Sequence, residues 1–390
     1  MVIGGSLGGL TAALVLRDCG ANVDVYERSA VPLTGLGAGI VLHPATVRYV
    51  QERGLAEFEA MTSRARWVRY LEPDGSIGHE HPCRYRFTSY YTLHRILLGA
   101  LGPTSYHLDW ELVGFDSHSD QVVASFAGGR SVTCDMLVCA DGVHSTARSL
   151  LLPTITTRYA GYVGWRGTVA EAERPHALAK LRDAITYFVM PQSHILAYPI
   201  PSARDAPPQA QQPMNWVWYR NVPAGVELDD LMTDRRGALH PMSLAPGHVQ
   251  VSHEQELRET ALSCLPPPAA AMVRSTVEPF VQAVFDIEVP RMAFGRICLI
   301  GDAAFALRPH IAAGTAKAAE DAWKLGEAMQ SCEGDVVAAL ERWEPGQLQL
   351  GRRALERSRE AGDRAQVKSS WRMGEPLPLG LYQTGDSALA

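Results

Sequence analysis

No run of about 18 uninterrupted apolar residues occurs in the chain, so no membrane-spanning helix is expected, and its opening residues do not read as a signal peptide. There is no CxxC pair either. The seven cysteines (Cys19, Cys83, Cys134, Cys139, Cys264, Cys298, Cys332) are odd in number and scattered, which argues against a zinc ribbon or dithiol redox site and predicts reduced thiols in the cytoplasm. A basic excess is missing as well: 36 Lys and Arg stand against 42 Asp and Glu, a net charge of −6, so neither nucleic acid nor an anionic membrane is an expected partner. The densest basic run, 352–364, is interleaved with Glu356, Glu360 and Asp363 and reads as a solvated helix face. No internal repeat is found. What is present is a 390-residue chain, 46% hydrophobic and 20% charged, long enough for two or three folding units and for a core that needs no disulfide.

The first 30 residues read as one β-α-β unit: a strand ending at Ile3, a glycine cluster Gly4-Gly5-Ser6-Leu7-Gly8-Gly9, a helix stopping near Gly20, and a strand over Val23–Glu27. Only Met1, Val2 and Ile3 precede the glycines, where a buried first strand normally supplies about five residues, so a few further residues are expected before Met1. A second α/β stretch spans roughly 93–152 and carries the buried strand that ends at Asp141-Gly142. A third starts at Ile297-Cys298-Leu299-Ile300, ends at Gly301-Asp302, and leads into a small-residue helix near Thr315 to Met329. Between them, residues near 64–90 and 160–290 alternate with period two and are rich in Tyr, Trp and Val, as in Trp216-Val217-Trp218-Tyr219, which predicts an inserted antiparallel sheet. The polar, proline-rich run from Ser202 to Pro213 reads as a surface loop, and the last twenty residues as a docked or frayed tail.

The glycine cluster carries a mechanism. Glycines after a strand let backbone N–H groups approach a pyrophosphate, the helix N-terminus favours its charge, and an acid roughly 20 residues on accepts ribose hydroxyls. Gly4, Ser6 and Gly9 take the three glycine positions and Glu27 is the acid; Ser6 departs from the pattern. A ligand-free strand-helix turn fits the fingerprint alone. Asp141 and Asp302 follow two further buried strands, where α/β sheets bind ligands. Each alone also fits a helix N-cap, but three such strand ends together do not reduce to capping.

These motifs resemble the class A flavoprotein monooxygenases, the FAD-dependent aromatic hydroxylases of the 4-hydroxybenzoate hydroxylase type, over about 350 residues. The resemblance rests on the dinucleotide turn with Glu27, on Asp141-Gly142-Val143-His144-Ser145-Thr146-Ala147-Arg148, on Gly301-Asp302, on Gly37-Ala38-Gly39-Ile40, and on Pro309 to Ala316 followed by Glu320-Asp321-Ala322. The fold it implies is an α/β, Rossmann-like FAD-binding domain of the GR2 type, with an inserted mixed or antiparallel β-sheet substrate domain and C-terminal helices. The boundaries would be 1–63, 91–158 and 291–345 for the FAD domain, 64–90 and 159–290 for the substrate domain, and 346–390 for the helical tail. It implies FAD with Gly4, Ser6, Leu7 and Gly9 at the pyrophosphate, Glu27 at the adenosine ribose and Arg28 near the adenine. Gly39 would run beside the flavin, Asp141 would serve FAD and the nicotinamide donor, and Asp302 would meet ribityl or pyrophosphate hydroxyls. Pro309 would lie above the ring, with Gly314, Thr315 and Ala316 at its pyrimidine edge. NADH or NADPH would be the electron donor and O2 the co-substrate, with oxygen added at the flavin C4a position. Two departures stand out: Pro309-His310-Ile311-Ala312-Ala313-Gly314 where many relatives have Pro-His-Gly-Gly-Gln-Gly, and Tyr90 where many have an arginine three residues before a leucine, here Leu93. The stretches Tyr159–Gly167, Ala197–Pro201 and Asp230–Gly237 look most like the 2,6-dihydroxypyridine 3-monooxygenase branch.

The expected reaction is hydroxylation of a small phenol or hydroxylated N-heteroaromatic. His43, Tyr198 and His310 are candidate groups to orient or deprotonate a ring hydroxyl, though each also fits an ordinary hydrogen-bonded core residue. Trp216 and Trp218 alternate onto one sheet face and fit either an aromatic substrate pocket or core packing. No metal site is expected: His79 and His81 beside Pro82 read as an exposed hairpin. The alternatives are an epoxidase or N-oxygenase of the same fold acting on a larger metabolite, or a flavoprotein sensor or carrier. A homodimer is implied only by the resemblance.

Overall fold

The computed structural model describes residues 1–33, 39–169, 178, 181–202 and 212–389. Gly37, Ala38 and most of the 202–213 run therefore lie outside the described residues. A six-stranded sheet is ordered Ala293–Phe294, Ile297–Leu299, Leu137–Cys139, Val2–Ile3, Val25–Tyr26, Tyr106–His107. All its pairings are parallel except that of the first edge strand. Its members come from near residues 2, 25, 106, 138 and 298, so this core is assembled from pieces far apart in the chain. Register explains the motif spacing: Ile3 pairs with both Cys139 and Tyr26, and Cys139 pairs with Leu299. Gly4, Glu27, Asp141 and Asp302 consequently emerge together at the carboxyl edge of the sheet, where such sheets hold ligands.

Helices Leu7–Asp18, Tyr90–Leu101 and Gly314–Ser331 pack together over this sheet. Small residues permit the close approach: a Cβ on Gly326 would come within 2.4 Å of Val15. An antiparallel meander of Leu112–Ser117, Val122–Phe126 and Arg130–Cys134 shares the same core through Leu112, Val122 and Phe126.

The second sheet has nine strands, ordered Ser243–Leu244, Phe280–Asp286, Arg158–Val169, Met214–Asn221, Ser193–Pro199, Ala184–Met190, Ser63–Leu71, Ile77–Ser89, Gly39–Val41. It is mixed, because Ala184–Met190 runs parallel to Ser63–Leu71. Trp165, Trp216, Trp218 and Ile195 form one side of a core with residues of helices Val251–Cys264 and Pro267–Ser275. The alternate residues face the other way, since successive strand side chains point to opposite sides.

A 31-residue helix, Val336–Gln366, is capped by Asp335, which accepts from the N–H groups of Val337 and Ala338. The tail after it is docked: Arg357 donates to the carbonyls of Pro378, Gly380 and Leu381, and Leu377 and Leu379 are buried among Tyr70, Phe87 and Tyr198. Among the described residues no helix is long and apolar enough to cross a membrane.

Candidate active site

At the first strand end, Gly4 holds φ = +100°, and a Cβ there would lie 2.3 Å from the Ala140 carbonyl oxygen; only glycine fits. Gly9 packs the helix onto this turn, since its Cβ would lie 1.9 Å from the Gly4 oxygen. Ser6 occupies the N-cap, but its hydroxyl does not cap the helix. It bonds the Tyr90 hydroxyl at 2.9 Å, leaving the first turn, beginning at Leu7, without a side-chain cap. Ser6 and Tyr90, two of the departures noted in the sequence, thus meet each other. Glu27 accepts from the N–H groups of Gly5 (2.8 Å) and Ser29 (2.9 Å), and the Gly5 carbonyl accepts from Tyr106 (3.1 Å) and bonds the His94 ring (2.9 Å). Arg28 is exposed beside His144, whose ring is held below its ordinary range by burial and by that cation.

At the second strand end, one Asp141 oxygen accepts from the Ala147 N–H at 3.1 Å and the other is buried with no partner. Burial pushes this carboxyl up against the pull of Ser145 and Ala147. Arg148 links the second and third strand ends, donating to the carbonyls of Val143 (2.5 Å) and Ala303 (3.0 Å). Asp302 is open to a cavity; the protein packed around it pushes its carboxyl up to about 6, against the pull of Lys317 and Arg148, and the carboxyl bonds nothing among the described residues. Beneath it a fully buried Lys317 pairs with Asp321 at 2.5 Å, and Asp321 also accepts from the Gly301 N–H (2.9 Å).

The cavity has a volume of about 700 Å³ and runs from these strand ends across the nine-stranded sheet. Strand register sets out its floor in rows. His194, Tyr219, Gly164 and Gln282 form one row, and Leu196, Val217 and Arg166 the next, with Tyr187 beside Leu196. Tyr198 follows one row on, its hydroxyl donating to the Gly39 carbonyl (2.7 Å) and its ring stacked on Phe87 at 4.3 Å. Gly39 is held from the other side by Asn215, which accepts its N–H at 2.8 Å. Pro309, His310 and Ala312 to Thr315 form the opposite wall, together with the long helix and the tail. A smaller cavity of about 320 Å³ adjoins it and shares Arg166, Tyr219, Gln282, Asp302 and Pro309.

His310 is held from behind by the Tyr162 hydroxyl, 2.8 Å from its Nε2. Burial and the nearby Arg308 push this imidazole down to about 3. Arg308 is itself fixed by both oxygens of buried Asp286 (2.9 Å each) and by Asp363 (2.7 Å). His194, which the sequence reading missed, is 2% exposed and bonds Gln366 at 2.9 Å. Burial and the neighbouring His310 hold it well below its ordinary range. Tyr219, Tyr187 and Trp371 complete an aromatic box around the two imidazoles.

Three expectations change. Trp216 and Trp218 do not line the cavity; the alternation that brings Val217 and Tyr219 to it turns both indoles into the core under the helices, where they donate to Thr276 and Ser193. His43 is buried outside the cavity wall, its Nε2 2.8 Å from the Ala312 carbonyl and its Nδ1 3.9 Å from Asp386, so it buttresses the turn from behind. Ala316 points into a small cluster with Ile311 and Leu381, while Gly314 and Thr315 reach the cavity. Strand alternation assigns His194 and Tyr219 to the cavity only after the fold shows the Trp side to be core.

Three strand ends carrying Gly4, Asp141 and Asp302 beside an aromatic-walled cavity are the arrangement of a flavoprotein oxygenase, and comparison with known proteins agrees. The family model described as FAD binding domain-like matches residues 159–286, most of the large sheet. The chain is 38% identical over 383 residues to the 2,6-dihydroxypyridine 3-monooxygenase of Paenarthrobacter nicotinovorans, covering 96% of this chain and 93% of that protein. The solved 2,6-dihydroxypyridine-3-hydroxylase from Arthrobacter nicotinovorans superposes with a TM-score of 0.92 at 38% identity, covering 98% of this chain and 96% of that one. HpxO of Klebsiella pneumoniae, solved with FAD and uric acid, superposes with a TM-score of 0.76 at 25% identity, covering 94% and 88%. The chain belongs to the class A FAD-dependent aromatic monooxygenases. It uses FAD, with NAD(P)H and O2 as co-substrates.

Proposed function

We propose that the protein hydroxylates a small, hydroxylated N-heteroaromatic ring of the 2,6-dihydroxypyridine kind. The observation that carries this reading is the aromatic cavity, walled by His310 and His194 and contiguous with Asp302 and the Gly314–Thr315 helix start. The residues fit FAD: the uncapped turn at Leu7, the Gly4 cradle a Cβ would fill, and an Asp302 carboxylate free to accept hydroxyls all suit a dinucleotide. Gly4, Ser6, Leu7 and Gly9 would hold the pyrophosphate, Glu27 the ribose and Arg28 the adenine side. Asp141 and Asp302 would hold the ribityl and pyrophosphate region, with Gly39, Pro309, Gly314 and Thr315 around the ring. Bound there, FAD supplies electron transfer from NAD(P)H and activation of O2.

The chain's own residues do the rest. The helix Gly314–Ser331 begins without a side-chain cap, so its N-terminal N–H groups offer partial positive charge at the ring edge. Val217, Leu196 and the tyrosines exclude water from the cavity floor. His310, neutral until about pH 3, does not store a proton at working pH. Its role is to orient a substrate oxygen from Nδ1 while Tyr162 holds Nε2. Tyr198 keeps Gly39 in place beside the ring rather than acting as a base. Loss of the phenolic-type proton makes the ring carbon more nucleophilic.

The test is a screen of pyridinediols, hydroxybenzoates and simple phenols with the FAD-loaded protein, following NADH and NADPH consumption, peroxide and product. Coupled turnover of a hydroxylated pyridine is expected. Consumption stimulated by none of these rings would sink the reading. We further place the protein in the cytoplasm, in keeping with its seven free cysteines, and as a homodimer, which light scattering would check.

A further inference from the structure

We propose that Arg166 is the counter-ion for the substrate ring, and that through it the cavity takes that ring as a monoanion. The inference rests on the hydroxylase reading above and adds to it a residue and a charge state.

Arg166 lies on the strand Arg158–Val169, directly opposite Val217 on one neighbouring strand and Phe280 on the other. Opposed residues share a face of the sheet. Arg166 therefore points with Val217 into the cavity, while Trp165, opposite Trp218, turns to the core. The side chain lines both the cavity of about 700 Å³ and the one of about 320 Å³ beside it. Its Nε is sealed from solvent and bonds nothing. Among the described residues no carboxylate pairs with the guanidinium and no carbonyl accepts from it. A guanidinium keeps its charge at any working pH. Holding such a cation unpaired and partly cut off from water is costly, and an anion entering the cavities would relieve that cost.

The other charges around the cavity are engaged or stand elsewhere. Arg364 is paired with Glu375, and Arg357 donates to the carbonyls of Pro378, Gly380 and Leu381. His194 and His310 are neutral, burial holding both imidazoles low. Asp302 lines both cavities with Arg166 yet forms no ion pair with it, and Glu360 stands on the opposite wall, on the long helix. The groups facing Arg166 from the neighbouring strands are the Tyr198 and Tyr219 phenols and the Gln282 amide. Burial raises both phenols, against the pull of the Arg166 charge, so they stay protonated at working pH. One positive charge is left over, and one negative charge on the ring matches it. A ring hydroxyl that has lost its proton and a ring carboxylate both carry that charge, and the experiment separates the two. A neutral ring of the same shape leaves the guanidinium unpaired and is disfavoured.

The experiment titrates the FAD-loaded full chain, without electron donor, with 2,6-dihydroxypyridine, ionised at pH 8, and with 2,6-diaminopyridine, neutral there, reading the flavin absorbance change. The wild type should bind the dihydroxy ring about ten- to hundred-fold tighter, the value of one hydrogen bond to a charged group. That margin should shrink as acid returns the proton to the ring. Arg166→Gln should erase the margin and its pH dependence while leaving the diamino affinity nearly unchanged, and Arg166→Lys should keep most of the margin. Val217→Asp sets a carboxylate opposite Arg166 on the next strand, and should erase the margin with the arginine still in place. Without any ring ligand Arg166→Gln should melt no lower than the wild type, because the charge it removes has no partner. A margin that survives Arg166→Gln or Val217→Asp, or an equal loss for both pyridines, overturns the proposal. So does a melting temperature well below wild type, which would make the guanidinium a structural group. Should Arg166→Gln fail to load FAD, Val217→Asp decides. The parallel titration uses 4-hydroxybenzoate, charged through its carboxylate. A wild type that prefers and turns over that ring, with Arg166→Gln erasing the preference, keeps the counter-ion and overturns the pyridine reading. Coupled turnover of dihydroxypyridine with no dependence on Arg166 overturns this inference alone.

Discussion

Asp286 offers a measurement whose size can be worked out beforehand. Its carboxylate is 1% exposed and receives both Arg308 nitrogens at 2.9 Å and Arg359 at 3.1 Å. Asp286→Ala leaves Arg308, itself 7% exposed, with only the half-exposed Asp363. Removing one member of a buried pair costs about 3–5 kcal/mol, because the other charge stays desolvated. Unfolding entropy near 2.1 cal/mol/K per residue gives about 0.8 kcal/mol per degree for 390 residues. The melting temperature should therefore drop by about 4–6 °C, followed by calorimetry on the FAD-loaded protein. Arg308→Met alone should cost about as much, since Asp286 then keeps only Arg359. The double variant Asp286→Ala with Arg308→Met removes both charges and should be less destabilised than either single change, with a coupling of about 3 kcal/mol or more. If the two losses simply add, the pair is not the source of the stability and the account of how the His310 segment is held fails.

Other outcomes follow from the same geometry. Gly4→Val should abolish flavin retention, because φ = +100° and the Ala140 oxygen 2.3 Å from any Cβ exclude a side chain; the ratio of flavin to protein absorbance checks it, and normal loading would refute the cradle. Acid should destabilise the fold from about pH 6.5 downward, where unfolded histidines gain protons that buried His194 and, until about pH 3, His310 do not. Stability is thus complete above that pH and is lost as pH falls, and His310→Leu should flatten the loss in urea midpoints measured at pH 7.5, 6 and 5. Trp216→Phe, which removes the indole N–H donated to the Thr276 hydroxyl while that hydroxyl keeps its bond to the Met272 carbonyl, should cost about 0.5–1.5 kcal/mol yet leave substrate affinity unchanged; a large rise in KM would return the indole to the site.

The nucleotide sheet was legible because each of its central strands is a short apolar run that ends in glycine or aspartate, and parallel register then aligns those ends by necessity. The inserted sheet was legible as a sheet but not as a surface. In Trp216-Val217-Trp218-Tyr219 both alternating sets are apolar, so periodicity cannot say which one meets solvent or ligand; the helices Val251–Cys264 and Pro267–Ser275 decide it by covering the tryptophans. His194 gave no signal because one histidine in a β-run is chemically mute until its neighbours across the strands are known. The tail's one repeat, buried Leu377, Leu379 and Leu381, is too short to stand out beside Pro376, Pro378 and Gly380, and the rest of its attachment runs through backbone carbonyls held by Arg357.

The interleaving of the six-stranded sheet has a bearing on how the molecule comes into being. The strand Val2–Ile3 is flanked by Leu137–Cys139 and Val25–Tyr26, and Ile297–Leu299 closes the far side. During synthesis the glycine turn at residues 4–9 is therefore made early but gains its Asp302 neighbour only after some three hundred residues have emerged. Closing loops of that length is slow, and parallel pairing rewards it late. Cofactor capture is thus a late event in the life of each chain, and supply of FAD should govern how much of the newly made protein escapes aggregation rather than how fast its first half folds.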